Sequence, residues 1–246
     1  MRNIKLTIEY DGKEFNGWQK QPDKLNIQGT IEQAIKLITG EEVILNASGR
    51  TDAKVHALGQ VANFKTNSKI PIEKFAIAIN TKLKKSIRIL KAEEVEETFH
   101  SRRTCKKKTY RYIINNSEYG TAIYRNLETN ISNKLDEEKM NEGIKYFIGE
   151  HDFKAFKASG TSSKSSVRVI YDAKVYRKED RIFIEITGNG FLYNMVRIIA
   201  GTLVEVGERK KKPEDIKEII ESKNRERAGK TLPPQGLYLV SVEYEN

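Results

Sequence analysis

Polar and apolar residues alternate at the start of the chain. Ile4, Leu6, Ile8 and Tyr10 are spaced two apart, which places them on one face of a predicted β-strand, and Gly12 lies in the turn expected to end it. The same criteria predict further strands at residues 43–45, 60–66, 87–95, 107–114, 167–176, 182–187 and 237–244.

Apolar residues spaced three and four apart predict the helices. Thr30 and Gln33 have the spacing of a capping box, so they predict the start of a helix that Gly40 closes. A second helix is expected to begin near Pro71. Further helices are predicted at residues 136–147, 191–206 and 213–222.

Strands and helices are mixed along the chain without strict alternation. This order favours an α+β fold with a mostly antiparallel mixed sheet. The second half has a similar content of elements to the first, so we expect two α+β halves around one sheet. The boundary is predicted near residues 103–108, which gives an N-terminal half of residues 1–105 and a C-terminal half of residues 106–246.

The charge balance suggests a polyanionic partner. The 246 residues include 44 lysines and arginines against 34 aspartates and glutamates, a net charge of +10. Residues 1–123 carry most of the excess, with 22 basic against 14 acidic residues. Nucleic acid is the commonest partner of such a protein, and a solvated basic surface without a partner is the alternative.

Several classes of protein are disfavoured by what the sequence lacks. Cys105 is the single cysteine, so no intrachain disulfide can form, as is typical of a reducing compartment. The three histidines and this cysteine lie too far apart for metal-ligand spacing. No apolar run has the length of a membrane span and no signal-peptide core is present, so a cytoplasmic location is expected.

Three segments carry candidate chemistry. The first is the polar loop 48–57, where Arg50 lies two residues from Asp52 and would favour its ionised form. The pattern alone favours the alternative, in which Asp52 caps a turn or makes a local ion pair. The second segment, residues 102–112, combines basic side chains with Tyr110 and Tyr112, which suits a phosphate backbone and a stacked base. Its basic residues are Arg102, Arg103, Lys106, Lys107, Lys108 and Arg111.

The alternative for residues 102–112 is a solvated basic turn followed by an ordinary strand.

The third segment places Arg197 on a largely apolar helix that begins after Gly188 and Gly190. An arginine there needs a buried anionic partner or a route to water. Residues 232–239 form a rigid turn before the last strand and indicate no chemistry by themselves.

Taken together, these motifs resemble the TruA family of tRNA pseudouridine synthases from about residue 4 to residue 244. Two opening segments, Tyr10–Gly12 and Gly17–Gln21, fit this resemblance, and the five segments that carry it are Gly49–Ala57, Lys108–Tyr112, Gly149–Phe153, Asn189–Arg197 and Pro233–Tyr238. These five in register over the whole chain outweigh the structural alternatives for Asp52, Tyr110 and Arg197.

The resemblance implies a function and roles for individual residues. Asp52 corresponds to the essential aspartate, Arg50 to the arginine beside it, Tyr110 to the active-site tyrosine, and Arg197 to the arginine that pairs with the aspartate. The implied fold is the pseudouridine synthase fold, in a homodimer. The implied substrates are uridines on the 3′ side of the tRNA anticodon stem-loop, at tRNA positions 38, 39 and 40. Because the product is an isomer of the substrate, no cofactor is expected.

One residue departs from the family pattern. The family usually has glycine where this chain has Lys54. A lysine in the left-handed conformation costs about 1–2 kcal/mol. Either the loop does not need that conformation here, or it carries strain; Lys54 would also be placed to contact a phosphate.

Two other functions fit parts of the sequence. A non-catalytic RNA-binding module would explain the net charge, but it gives no reason for Asp52. An RNA hydrolase that uses Asp52 as a general base would need a metal ion or a second catalytic group. His56 is the nearest candidate for that group, although the resemblance gives it no such role.

Overall fold

The computed structural model describes residues 1–160 and 165–245. In chain order the elements are β1 (Arg2–Tyr10), α1 (Ile27–Thr39), β2 (Asn46–Ala47), β3 (His56–Thr66), α2 (Ile72–Asn80), β4 (Ile87–Val95), β5 (Cys105–Asn115), β6 (Thr129–Asn130), α3 (Glu137–Ile144), β7 (Gly149–Asp152), β8 (Val167–Lys178), β9 (Arg181–Gly188), α4 (Met195–Gly207), α5 (Asp215–Ser222) and β10 (Leu237–Tyr244). The chain folds into two compact units, one of Met1–Lys106 with the segment from Tyr238 onward, the other of Lys107–Leu237.

The first unit is a sheet with helices on one face. Its strands lie in the order β4-β1-β3-β10, with β2 also paired to β3. β1 is antiparallel to both neighbours, whereas β10 runs parallel to β3. The inward face of β1 is fully buried at Ile4, Leu6 and Ile8. Phe64 on β3 meets Phe75 on α2 edge to face, so the helices cover this side of the sheet.

The second unit also consists of a sheet and helices. Its strands lie in the order β5-β9-β8-β7 and all three pairings are antiparallel, while the short β6 runs parallel to β5. α4 is buried on almost every side, which identifies it as the central helix of this unit. The aromatic rings of Phe147, Phe153 and Phe156 pack against one another in the core of the same unit.

The predicted α+β class with a mostly antiparallel mixed sheet is confirmed. The predicted strand at residues 43–45 is wrong, because these residues lie outside any strand and only Asn46–Ala47 pairs with β3. The sequence pattern did not predict β7. The functional division between residues 105 and 106 stays a prediction. None of the helices in the described part of the chain is long and apolar enough to cross a membrane.

Two helix starts differ from their predictions for reasons that lie in the preceding loops. α1 begins at Ile27, and its cap is Asn26, whose side chain accepts a hydrogen bond from the Gly29 backbone. The capping box predicted at Thr30 is therefore wrong. α4 begins four residues later than predicted, because Asn194 adopts a left-handed conformation with φ 60° and turns the chain just before the helix.

Candidate functional site

Asp52 lies in the loop that joins β2 to β3 in the first unit. Its backbone carbonyl accepts a hydrogen bond from Val55, 3.2 Å away, which closes a tight turn around residues 52–55. The Asp52 side chain is half-buried and that of Arg50 is exposed. The predicted loop is confirmed, although β3 begins at His56 and not at Gln60.

Two glycines from the segment after β1 pack against this loop. A Cβ atom on Gly12 would overlap the Val55 carbonyl oxygen, and one on Gly17 would lie 2.6 Å from the Thr51 carbonyl oxygen. Only glycine permits such close approach of two backbones. The same Thr51 oxygen accepts a hydrogen bond of 3.0 Å from the backbone of Trp18. The glycines of the two opening motifs therefore allow this segment to pack directly against the Asp52 loop, a role the sequence did not reveal.

Lys54 adopts the left-handed conformation, with φ 65°. Its backbone N–H donates to the Phe15 carbonyl at 3.2 Å, so the conformation is fixed by the neighbouring segment. The loop thus takes the shape that glycine favours, and the lysine carries the strain. Its side chain is exposed and belongs to the same turn as Asp52.

His56, the first residue of β3, is built into the end of the loop. The imidazole is 1% exposed, and its Nδ1 accepts a hydrogen bond of 3.1 Å from the Gly12 backbone. The same atom lies 3.1 Å from a carboxylate oxygen of Asp11. The ring stacks on that of Tyr238, with 4.8 Å between the ring centroids. These contacts give His56 a structural role within the first unit.

Tyr110 and Tyr112 lie on the same face of β5 in the second unit but have different surroundings. The ring of Tyr110 meets that of Phe191 edge to face at 5.0 Å and is 8% exposed. Tyr112 is fully buried, and its hydroxyl donates to the Pro233 carbonyl at 2.7 Å. Burial raises the pKa of Tyr112, so this hydroxyl stays protonated. Tyr112 therefore belongs to the core, and Tyr110 lies at its margin.

Arg197 is held in the first turn of α4. Its Nε donates to the Leu232 carbonyl at 2.6 Å, and its Nη1 donates to the side chain of Asn194 at 2.7 Å. The Leu232 segment can approach α4 closely because Gly201 and Gly229 meet backbone to backbone. The half-buried guanidinium is thus oriented by contacts within its own unit, as a residue with a fixed task requires.

The basic residues around the start of β5 do not form one continuous surface. Successive side chains of a strand point to opposite faces, which separates Lys107 from Lys106 and Lys108. Lys106 forms an ion pair of 2.7 Å with Glu245, and the Lys107 ammonium lies over the Tyr171 ring. Arg102 and Arg103 precede the strand and are exposed.

Arg111 is engaged more firmly than the lysines. Its guanidinium contacts the carboxylate of Glu185 on β9 at 2.7 Å, and Lys174 lies 3.2 Å from the same carboxylate. Burial raises the pKa of Glu185, but the hydrogen bonds from Arg111 and Lys174 outweigh it and leave the pKa below its usual value. A phosphate contact by Arg111 would have to compete with this ion pair.

The structure therefore places the candidate residues in two sets. Arg50 and Asp52 lie in one loop of the first unit, and Tyr110 and Arg197 lie on β5 and α4 of the second. Among the described residues, no group of three or more histidine, cysteine, aspartate or glutamate side chains is arranged to hold a metal ion.

Comparison with known proteins identifies close relatives. A family model described as tRNA pseudouridine synthase matches residues 6–114 and 144–245. The chain is 56% identical to tRNA pseudouridine synthase A of Caldicellulosiruptor saccharolyticus and 52% identical to that of Acetivibrio thermocellus. Each alignment covers 99% of this chain and 100% of the relative.

Among solved structures, the archaeal box H/ACA sRNP Nop10-Cbf5 complex aligns with 96% of this chain and 55% of the matched chain. The sequence identity is 12% and the TM-score is 0.33, a likeness too low to support any conclusion.

Proposed function

Because the chain belongs to the family of tRNA pseudouridine synthases, we propose that it isomerises uridine to pseudouridine in tRNA and that Asp52 is its catalytic carboxylate. The observation that carries the proposal is the loop of Asp52, which neighbouring glycines and backbone hydrogen bonds hold in one shape while the carboxylate stays half-buried. A rigidly supported polar loop between two strands is a typical position for a catalytic residue.

The reaction breaks one bond and forms another at the same carbon of the ribose. The bond from C1′ to N1 of uracil opens, the base turns, and C5 becomes bonded to C1′. The proton on C5 leaves and N1 gains one, so atoms and electrons balance without a co-reactant. An ionised carboxylate supplies the nucleophile or base that this exchange requires.

The other residues take the roles that the family resemblance implies. Arg197 and Arg50 favour the ionised form of Asp52, since a nearby positive charge lowers the pKa of a carboxyl group. Tyr110 stacks on the uracil that has flipped out of the RNA stem, and its hydroxyl accepts or relays the C5 proton. The phosphates of tRNA are held by the basic residues around the start of β5, namely Arg102, Arg103, Lys106, Lys107, Lys108 and Arg111.

The proposal extends to the modified tRNA positions, the oligomeric state of the enzyme and its location. The TruA-like motifs favour the 3′ side of the anticodon stem-loop, at tRNA positions 38, 39 and 40. They also favour a homodimer. A cytoplasmic location agrees with a tRNA substrate and with a single cysteine, which leaves no intrachain disulfide to form.

The test is turnover by Asp52→Asn beside the parent enzyme and a matched control. Unmodified tRNA is incubated with each protein, and mass spectrometry after cyanoethylation reports both the amount and the position of pseudouridine. The control is Asp172→Asn, which makes the same change at an exposed position on β8. We expect the parent and the control to modify positions 38–40, and Asp52→Asn to bind tRNA normally without turnover.

Two results would contradict parts of this proposal. A parent enzyme that binds tRNA and leaves every uridine unchanged would be an RNA-binding module. Activity of Asp52→Asn within tenfold of the parent would remove Asp52 from the chemistry and leave the isomerisation to another group.

A further inference from the structure

A buried hydrogen-bond network lies directly beneath the Asp52 loop. Its centre is Gln60 on β3, which has no exposed surface. The Gln60 side-chain oxygen accepts from the Ser48 hydroxyl at 2.7 Å, and its Nε2 donates to the Gly49 carbonyl at 3.0 Å. One amide side chain thus holds two consecutive residues at the start of the loop.

A second buried group holds the residue just before Asp52. The Tyr10 hydroxyl and the Thr51 hydroxyl lie 2.7 Å apart, and Tyr10 is 2% exposed. Burial raises the pKa of Tyr10, and the nearby side chains of Thr51 and Gln60 lower it in part, so Tyr10 and Gln60 lie close enough to act together. Residues 48, 49 and 51 are therefore fixed by buried side chains, and the half-buried Asp52 follows directly after them.

These contacts differ in kind from ordinary core packing. Gln60 could be replaced by an apolar residue of similar size if its task were only to fill space. A buried amide that bonds a loop through both of its polar atoms fixes direction as well as position. Misplacement of a reacting group by about 1 Å can lower the rate of an enzyme about 10²-fold.

We propose that Gln60, assisted by Tyr10, is a positioning residue that sets the location of the Asp52 carboxylate without contacting the substrate. This inference rests on the proposed function of Asp52 and adds residues to which the family resemblance gives no role. It predicts that changes at Gln60 lower kcat and leave KM for tRNA unchanged, since the RNA-binding surface is not altered.

The first variant is Gln60→Glu, which keeps the shape and makes the hydrogen bond titratable. A protonated carboxyl group can still donate to the Gly49 carbonyl as the amide does, whereas an ionised one cannot. Burial raises the pKa of such a carboxyl group. The kcat of this variant relative to the parent is therefore expected to be highest at low pH and to fall as pH rises through that pKa.

The matched control is Asn63→Asp, three residues further along the same strand. Asn63 is similarly buried, but it bonds Asn3 and the Ser101 backbone rather than the loop. The chemical change is the same, so any unfolding at high pH is comparable and is measured by circular dichroism at each pH. Per folded molecule, the kcat of this control should stay near that of the parent at every pH.

The second variant is Gln60→Met, which keeps the volume and removes the polar atoms of the amide. We expect kcat to fall about 10²-fold with KM unchanged. A kcat within threefold of the parent, or the same relative pH profile in Asn63→Asp as in Gln60→Glu, would overturn the proposal.

Trypsin provides a readout that does not depend on activity. Arg50 and Lys54 are exposed cleavage sites within the loop. A loop released from Gln60 should be cut there at least tenfold faster in Gln60→Met than in the parent under native conditions, and no faster in Asn63→Asp. If the parent makes no pseudouridine, the proposed function fails, and the cleavage rates still decide whether Gln60 holds the loop.

Discussion

At the scale of the single residue, Lys54 combines a strained backbone with an exposed side chain. Its φ of 65° costs a lysine about 1–2 kcal/mol, whereas glycine adopts this conformation freely. Glycine loses about 0.5–1 kcal/mol more entropy on folding, so the two effects partly cancel. We expect Lys54→Gly to raise the free energy of unfolding by about 0.5–1 kcal/mol, as measured by urea denaturation.

The neighbouring residue provides the control for this prediction. Ala53 is exposed and does not have a positive φ, so Ala53→Gly should lower stability by about 0.5–1 kcal/mol. If Lys54→Gly is no more stable than the parent protein, the left-handed conformation is not a source of strain.

Tyr110 supplies a second prediction, because its ring and its hydroxyl have separable tasks. Tyr110→Phe keeps the ring and should lower kcat by about 10²–10⁴ with little change in tRNA affinity, if the hydroxyl handles the C5 proton. Tyr110→Ala should also weaken binding, by about 1–3 kcal/mol. Single-turnover kinetics and filter binding separate the two effects.

Tyr112→Phe is the matched control, two residues along the same face of β5. Its hydroxyl bonds Thr129 and Pro233 in the core, so its removal should reduce stability and leave kcat per folded molecule unchanged. Full activity and affinity in both Tyr110 variants would mean that Tyr110 only packs against Phe191. The residue pattern of 102–112 alone could not distinguish the two tyrosines, because the partners of Tyr112 lie far away along the chain.

At the scale of the element, local signals were sufficient wherever an element is defined by its own residues. β1, β4 and β10 end where alternation and turn residues predicted, and Gly40 closes α1 in the left-handed conformation. The predicted bounds of an element were wrong where they depend on pairing with a segment distant in the sequence. β3 starts at His56 because it pairs there with Tyr238, a partner that no local pattern reveals.

The three lysines at the start of β5 should govern how tRNA binding responds to salt. Replacement of Lys106, Lys107 and Lys108 by alanine should weaken tRNA binding and flatten its dependence on salt concentration. Each phosphate that the protein no longer neutralises lowers the slope of log K against log salt by about 0.7–0.9. Because alternate residues face opposite sides of the strand, the three lysines are not expected to contact three phosphates at once. We therefore expect a smaller change in slope than the loss of three phosphate contacts would produce.

A second run of three lysines serves as the control for this experiment. Residues 210–212 carry the same charge, and two of them are paired with Glu208 and Glu205. Alanines at these three positions should leave the slope unchanged. Equal slopes for the parent and the variant with alanines at 106–108 would show that these lysines of β5 make no contact with tRNA phosphates.

At the scale of the whole molecule, the excess positive charge belongs mostly to the first half of the sequence. That half also contains the Asp52 loop and the basic run before Tyr110. A net positive charge raises the rate at which a polyanion such as tRNA arrives at the protein. Composition alone indicated this bias, whereas the ion pair of Arg111 with Glu185 required the structure.

The path of β10 has a consequence for how the protein is made. This strand belongs mainly to the first unit, yet the ribosome synthesises it only after the entire second unit. Nascent domains generally fold from the N-terminal side. The edge of β3 at His56 that pairs with β10 therefore stays unpaired until Tyr238 has been synthesised. An open strand edge invites pairing with other chains. The edge of β3 that follows the Asp52 loop therefore stays open to such pairing until Tyr238 has been synthesised.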